Sequence, residues 1–208
     1  MKILIVDDHP VVRSGLRRLL ASEAGFDVCE AASGRGALAA FREHRPHLVV
    51  LDLGMPGMGG LEVIERLKIE ESDVRILVLS MHQETLYATR ALQAGALGFV
   101  SKSAPVDQLL EAIKRVAAGH SFIEHAIAQE LALANVCTHR HPLQELSTRE
   151  LEILRLLADG RSLREIADTI GISYKTAANT CSQIKAKLHV AHTADLVRIA
   201  IQNGISAQ

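Results

Sequence analysis

The sequence predicts an α/β domain built on a doubly wound five-stranded parallel sheet, followed by a small all-α domain. Two observations lead there. Within residues 1–119, short apolar runs alternate with helical stripes, strand then helix, from one end to the other. From residue 143 onward no such run recurs, and apolar residues fall at helical spacing behind two Ser-x-x-Glu starts. Alternation of the first kind folds as right-handed βαβ units on one parallel sheet.

Ile3-Leu4-Ile5-Val6 is a buried-strand run that ends in Asp7-Asp8. Pro10 suits the first turn of the helix that follows, whose stripe is Val12, Leu16, Leu19 and Leu20. Phe26 to Ala31 is a second strand, and Gly36 to Arg42 a second helix. The stretch His47-Leu48-Val49-Val50-Leu51-Asp52 runs apolar into a single carboxylate, then breaks at Gly54 and Pro56. A short continuous apolar run between breakers reads as a strand buried on both faces. Gly59-Gly60 opens a third helix carrying Leu61, Ile64 and Leu67. Val74 to Leu79 is a fourth strand, ending at Ser80, and its helix stops at Gly95. Leu97 to Val100 is a fifth strand, ending at Ser101-Lys102. Pro105 starts a last helix, which runs to Gly119.

Five such strands most often take the order 2-1-3-4-5, the flavodoxin-like arrangement, with its switch point between strands 1 and 3. That order puts Asp7, Asp8 and Asp52 in one crevice, with Ser80 and Lys102 on its flank. An Asp at one strand end is an ordinary turn residue. The coincidence of several strand ends points to chemistry. Three carboxylates at close quarters repel one another unless a cation neutralises them. Oxygen donors favour a hard, partly hydrated ion, Mg²⁺, and neither Cys nor His stands at a strand tip. A carboxylate beside such an ion, with an ammonium and a hydroxyl near it, suits a phosphoryl acceptor.

The segments MKILIVDDHPVVRSGL, LDLGMPGMGGLEV, ILVLS and GALGFVSK resemble the receiver domain of two-component response regulators, over about residues 1–119. The resemblance implies that Asp52 is the phosphorylated aspartate. It implies Mg²⁺ ligation by Asp8, Asp52 and the carbonyl of Gly54, with Asp7 supporting the site partly through water. Lys102 then pairs with the phosphoryl group, Ser80 supplies the hydroxyl that closes on it, and Phe99 is the aromatic that turns inward. Gly54 is small for its place, two residues past the acceptor, and leaves the phosphoryl group open to approach.

Residues 120–142 read as a linker. Ile123, Ile127, Leu131 and Leu133 could form a short amphipathic helix, and residues 135–142 a flexible connection. His139 and His141 have no further ligands at metal-binding spacing.

Residues 143–208 are helical throughout. Ser147-Thr148-Arg149-Glu150 and Ser162-Leu163-Arg164-Glu165 match the capping box. A short second helix closed by Gly171, then a longer one capped by Ser173, make a helix-turn-helix. On the longer helix Ala177, Cys181, Ile184 and Leu188 form the buried stripe, with Lys175, Asn179, Ser182, Gln183 and Ala186 opposite. No acid occurs from Ile172 to Ala194. Such a face suits the major groove, with Asn179 or Gln183 on base edges and Lys185 and Lys187 on phosphates. Spacing alone equally allows a helical module that binds protein.

LSTRELEILRLLADGRSLREIADTIGIS and IKAKLHV resemble the effector domain of NarL/LuxR-type regulators, over about residues 143–205. The resemblance implies binding of double-stranded promoter DNA and dimerisation through the helix after Thr193, which carries Leu196, Val197, Ala200 and Ile201. Where that family commonly shows Thr-Val-Lys-x-His, this chain has Thr176-Ala177-Ala178-Asn179-Thr180. Loss of a phosphate-contacting lysine there predicts a shallower salt dependence of binding.

The whole reads as a transcription regulator whose DNA binding is controlled by Mg²⁺-dependent phosphorylation of Asp52 by a sensor histidine kinase, with homodimerisation when active. An alternative is a phosphorylation-controlled interaction protein whose helix-turn-helix binds DNA weakly or not at all, a reading motivated by Ala178 and Thr180. A phosphatase of the haloacid dehalogenase type would carry Asp-x-Asp after its first strand, whereas this chain has Asp7-Asp8-His9. A ligand-sensing regulator would need an aromatic-rich pocket, and aromatics are only 3% of the chain.

Composition agrees. Apolar residues make up 48%, enough for a core, and with no Trp that core is aliphatic. A net charge of −1 advertises neither nucleic acid nor membrane. Cys29, Cys137 and Cys181 are odd in number and far apart, as free thiols in a reducing cytoplasm would be. Two acids follow only four apolar residues at the N-terminus, which is no signal peptide.

Overall fold

Strand β1 (Lys2–Val6) lies inside a parallel sheet, between β2 (Asp27–Ala31) and β3 (Leu48–Leu51). The sheet continues through β4 (Ile76–Ser80), β5 (Gly98–Ser101) and β6 (Phe122–Ile123). Its order is β2-β1-β3-β4-β5-β6. This computed structural model describes all residues except 22, 24, 82–84, 137–141, 204 and 206–208, and the side chains of 85, 134–136, 142 and 144. His139, His141 and Cys137 therefore lie outside the described residues, whereas Cys29 and Cys181 are free thiols. The chain divides into two compact units, Met1–Cys137 and Thr138–Gln208.

In the first unit β1, β3, β4 and β5 are buried almost end to end, as continuous apolar runs between two helical layers must be. Helices α1 (Pro10–Ala21), α2 (Gly34–His44), α3 (Gly60–Glu70), α4 (Thr85–Gln93) and α5 (Val106–Ala117) alternate with them. Leu16 and Leu20 of α1, with Ala112, Ile113 and Val116 of α5, pack into one cluster with Ile3, Ile5, Val50 and Leu77. Pro10 opens α1 as expected. Helix α2 starts two residues earlier than its apolar stripe suggests, because Ser33 Oγ accepts the Gly36 N–H at 3.2 Å. Gly60 is required by a close approach: a Cβ there would stand 2.4 Å from the Asp52 carbonyl oxygen.

The expected order 2-1-3-4-5 holds with one addition. Where the sequence reads as linker, Phe122 and Ile123 pair in parallel with Gly98 and Phe99. Two residues carry no period, so β6 leaves no pattern to read. Gly98 makes the approach possible, since a Cβ there would stand 2.7 Å from Leu77 and 3.0 Å from the Phe122 carbonyl oxygen. The Arg115 guanidinium lies over the Phe122 ring, 5.8 Å from its centre. Helix α6 (His125–Val136) follows and packs against α4. Ile127 is on its inner side, but Leu133 is 67% exposed, contrary to the stripe expected.

The second unit holds a 3-10 turn (Pro142–Glu145) and helices α7 (Thr148–Ala158), α8 (Leu163–Ile170), α9 (Tyr174–Lys187) and α10 (Thr193–Gln202). Both capping boxes form, at Ser147/Glu150 and Ser162/Glu165. Gly171 closes α8 in the left-handed region, with φ of 72°. Ala177, Cys181, Ile184 and Leu188 are buried, as their spacing predicts. On α10, Leu196 and Ala200 are fully buried, whereas Ile201 is exposed. No helix among the described residues is long and apolar enough to cross a membrane.

Candidate functional site

The register of the sheet builds the site. Val6 pairs with Leu51, so Asp7 and Asp52 leave adjacent strands side by side, at the switch point between β1 and β3. Asp52 N–H donates to the Val6 carbonyl at 2.9 Å, and Asp7 N–H to that of Ala31 at 3.2 Å. Ser80 pairs with Ser101, and Lys102 N–H donates to the Ser80 carbonyl at 2.9 Å. Asp7, Asp52, Ser80 and Ser101 are all buried.

Lys102 Nζ reaches across this edge. It stands 2.6 Å from Asp7 Oδ2 and 2.8 Å from Asp52 Oδ2, with only 7% of its side chain exposed. Burial by itself disfavours that ammonium, but hydrogen bonds to Asp52 and Asp7, with their charges, outweigh it and hold the Lys102 pKa above its ordinary value. The lysine is therefore a fixed positive charge beside Asp7 and Asp52. Asp52 Oδ1 in turn accepts the Gly54 N–H at 3.1 Å. A Cβ on Gly54 would lie 3.7 Å from both Asp52 carboxylate oxygens, so this flank of the carboxylate is open. Phe99 is fully buried on β5, between Val78 and Ile123.

A histidine beyond the strand tips joins the acids: His9, two residues past Asp7. Its N–H donates to Asp7 Oδ1 at 2.8 Å, and its Nδ1 lies 3.2 Å from Asp7 Oδ1 and 3.0 Å from Asp8 Oδ1. Strand-tip counting misses it because the chain turns back over the crevice. Arg13 was also missed; it donates to the Asp7 carbonyl at 2.7 Å and pairs with Glu30 at 3.4 Å.

Asp7, Asp8, His9 and Asp52 each offer a ligand atom, all within 4.8 Å of one another. Asp8 Oδ1 is buried and, among the described residues, has no hydrogen-bond partner, although His9 Nδ1 lies 3.0 Å away. An orphaned carboxylate oxygen among other carboxylates suits a hard divalent cation. The residues present fit Mg²⁺.

In the second unit α9 exposes most of the residues that lie opposite its buried stripe. Lys175, Asn179, Ser182 and Gln183 are exposed on α9, and Lys185 is half-buried. Ser182 Oγ and Thr180 Oγ1 donate to carbonyls of their own helix, those of Ala178 and Thr176. Lys187 is differently placed from the rest. Its Nζ lies 2.6 Å from Glu150 Oε2 and 3.3 Å from the Glu145 carbonyl oxygen, tying α9 to the start of α7. Glu150, only 5% exposed, needs that counter-charge. Burial tends to raise its carboxyl pKa, but bonds from Lys187 and Ser147 bring it below the usual range. Tyr174, at the start of α9, is also 57% exposed.

A buried lysine between strand-end carboxylates, carried in one chain with a helix-turn-helix, defines a signal-receiving regulator. The sequence pattern of the response regulator receiver domain matches residues 3–114, and that of the luxR family of bacterial regulatory proteins matches residues 144–200. The transcriptional activator protein ExaE of Pseudomonas putida is 42% identical over 214 residues, covering 99% of this chain and 98% of that protein. The response regulator GacA of Pseudomonas aeruginosa is 35% identical over 208 residues, covering 99% and 97%. Among solved structures, RcsB of Salmonella enterica serovar Typhimurium, bound to promoter P1flhDC in the presence of the phosphomimetic BeF3⁻, matches with a TM-score of 0.70. It is 26% identical, over 96% of this chain and 97% of that one. The chain belongs to the response regulators that join a receiver domain to a LuxR-type helix-turn-helix domain.

Proposed function

We propose that Asp52 is the phosphoryl acceptor of this regulator and that its modification controls binding of promoter DNA by the second unit. The observation that carries this reading is the Lys102 ammonium, buried between Asp7 and Asp52 at the sheet's switch point. A carboxylate oxygen of Asp52 forms the new bond to phosphorus. The donor's P–N bond (phosphohistidine of a sensor kinase) or P–O bond (a small acyl phosphate) breaks, and its electron pair leaves with the imidazole or carboxylate. Lys102 neutralises charge on the transferred group, and Gly54 N–H orients the acceptor. Asp8, Asp52 and the Gly54 carbonyl would hold Mg²⁺, with Asp7 supporting it. Mg²⁺ when bound supplies neutralisation of the phosphoryl oxygens and lets three carboxylates share one crevice. Ser80 and Phe99 would then shift the receiver between its two states.

We assign residues 1–119 to the receiver, 120–142 to the connection and 143–208 to the effector domain, in a cytoplasmic protein that dimerises on DNA. Lys175, Asn179, Ser182, Gln183 and Lys185 form the DNA-contacting face, and Lys187 stands at its edge. A second reading, a regulator of protein contacts that binds DNA weakly, is favoured by the inward bonding of the Thr180 and Ser182 hydroxyls and by Ala178. Phosphoryl uptake from acetyl phosphate with Mg²⁺ and fluorescence binding to selected genomic DNA, with and without beryllofluoride, test both. Uptake by wild type and none by Asp52→Ala is expected, with tighter DNA binding in the phosphoryl-like state. Labelling of Asp52→Ala would sink the acceptor assignment, and equal DNA affinity in both states would sink the switch.

A further inference from the structure

Glu124 stands between β6 and α6, outside the span matched by the receiver pattern. Its backbone N–H donates to the Phe99 carbonyl at 3.1 Å. In a parallel ladder the next bond would run from Ser101 N–H to the Glu124 carbonyl. That carbonyl is otherwise engaged: it accepts the Ala128 N–H at 2.9 Å, the first bond of α6. The Glu124 side chain takes its place, with Oε2 accepting the Ser101 N–H at 2.8 Å. Ser101 is 2% exposed, so its N–H is shielded from water and this acceptor contributes directly to satisfying it. The next residue is Lys102, whose own N–H is held from the other side by the Ser80 carbonyl. The two main-chain donors at the tip of β5 are thus fixed from both sides, one by the Glu124 side chain and one by β4.

Resting on the assignment of Asp52 and Lys102 above, we infer that Glu124 is a positioning residue for Lys102. Its carboxylate completes the β5–β6 ladder at Ser101 and ties the strand that carries the lysine to helix α6. Helix α6 packs against α4, the helix that follows Ser80, and is the last helix before the chain passes to the helix-turn-helix unit. Movement of Lys102 on phosphoryl transfer is therefore felt at α6 through one charge-assisted hydrogen bond.

The test is labelling of the full chain by radioactive acetyl phosphate with Mg²⁺, comparing wild type, Glu124→Ala, Glu124→Asp, Glu124→Gln, Lys102→Ala and the Glu124→Ala/Lys102→Ala pair. Loss of one charge-assisted bond acting through the backbone should slow labelling about three- to tenfold in Glu124→Ala. Glu124→Asp, one methylene short of Ser101, should behave alike and carries the test if the alanine variant does not fold. Glu124→Gln keeps an accepting oxygen and should stay within about twofold of wild type. In the Lys102→Ala background Glu124→Ala should add nothing, because both act through one group. Wild-type rates in Glu124→Ala and Glu124→Asp, or effects of Glu124 and Lys102 that multiply, would overturn the inference while leaving Asp52 as acceptor. Absence of label in wild type would overturn both.

Discussion

Replacing Lys187 with alanine separates two roles that the sequence alone would merge. If Lys187 chiefly holds Glu150, the loss is one of stability. Its ammonium is 2.6 Å from a carboxylate whose side chain is 7% exposed, whereas Lys187 itself is 40% exposed. Breaking a fully buried pair costs about 3–5 kcal/mol, and an exposed one about 0–1. Glu150 keeps the Ser147 N–H at 2.7 Å, and water can reach the vacated side. The expected cost therefore falls between, about 2 kcal/mol, which lowers the melting temperature of the second unit by on the order of 10 °C. Calorimetry of the full chain at fixed pH measures it, with the first unit's transition as internal control. Glu150→Gln combined with Lys187→Ala should recover part of the loss, since no buried charge is then left unpaired. The pH dependence has a definite sign. The folded Glu150 carboxyl lies below its unfolded value, so its contribution is present above about pH 4.3 and fades as pH falls below that. Lys187→Ala should remove much of that acid-dependent part. An unchanged melting temperature, together with a salt slope of DNA binding reduced by about 1, would refute the structural role and return Lys187 to the phosphate contacts.

Three further outcomes follow from the geometry. Gly60→Ala would set a Cβ 2.4 Å from the Asp52 carbonyl oxygen and 2.6 Å from Leu53 Cα, both backbone, so the first unit should lose about 1–3 kcal/mol by calorimetry. His189, just past α9, holds φ at 54°, and His189→Gly should stabilise the second unit by about 0.5–1 kcal/mol in denaturant titration. Gly54→Arg places side-chain bulk beside both Asp52 oxygens and should lengthen the phosphoryl lifetime; hydrolysis of the labelled protein at the wild-type rate would remove that account.

Much of the site was legible because strand ends are legible. Asp7, Asp52, Ser80 and Lys102 each close an apolar run, and the alternation of strands with helices leaves few topologies, so their convergence follows from the order of the sheet. The helix-turn-helix was equally open to reading, since Ser147, Ser162 and Gly171 mark helix ends with local chemistry. What could not be read is short or distant. Strand β6 is too brief for a period, and its place depends on Gly98 having no side chain. His9 belongs to the crevice through a turn of the backbone, not through a strand tip.

Local periodicity and capping chemistry determined, from the sequence by itself, a doubly wound parallel sheet followed by a helix-turn-helix, with Asp52 at a strand end beside Asp7. Only the tertiary structure decided which charges are already committed. Lys187 and Glu150 are 37 residues apart, and Glu124 and Ser101 are 23 apart; neither spacing has any period that a sequence could show. Each pairing arises because packing buries a group that water can no longer serve, and the nearest complementary group is set by the fold.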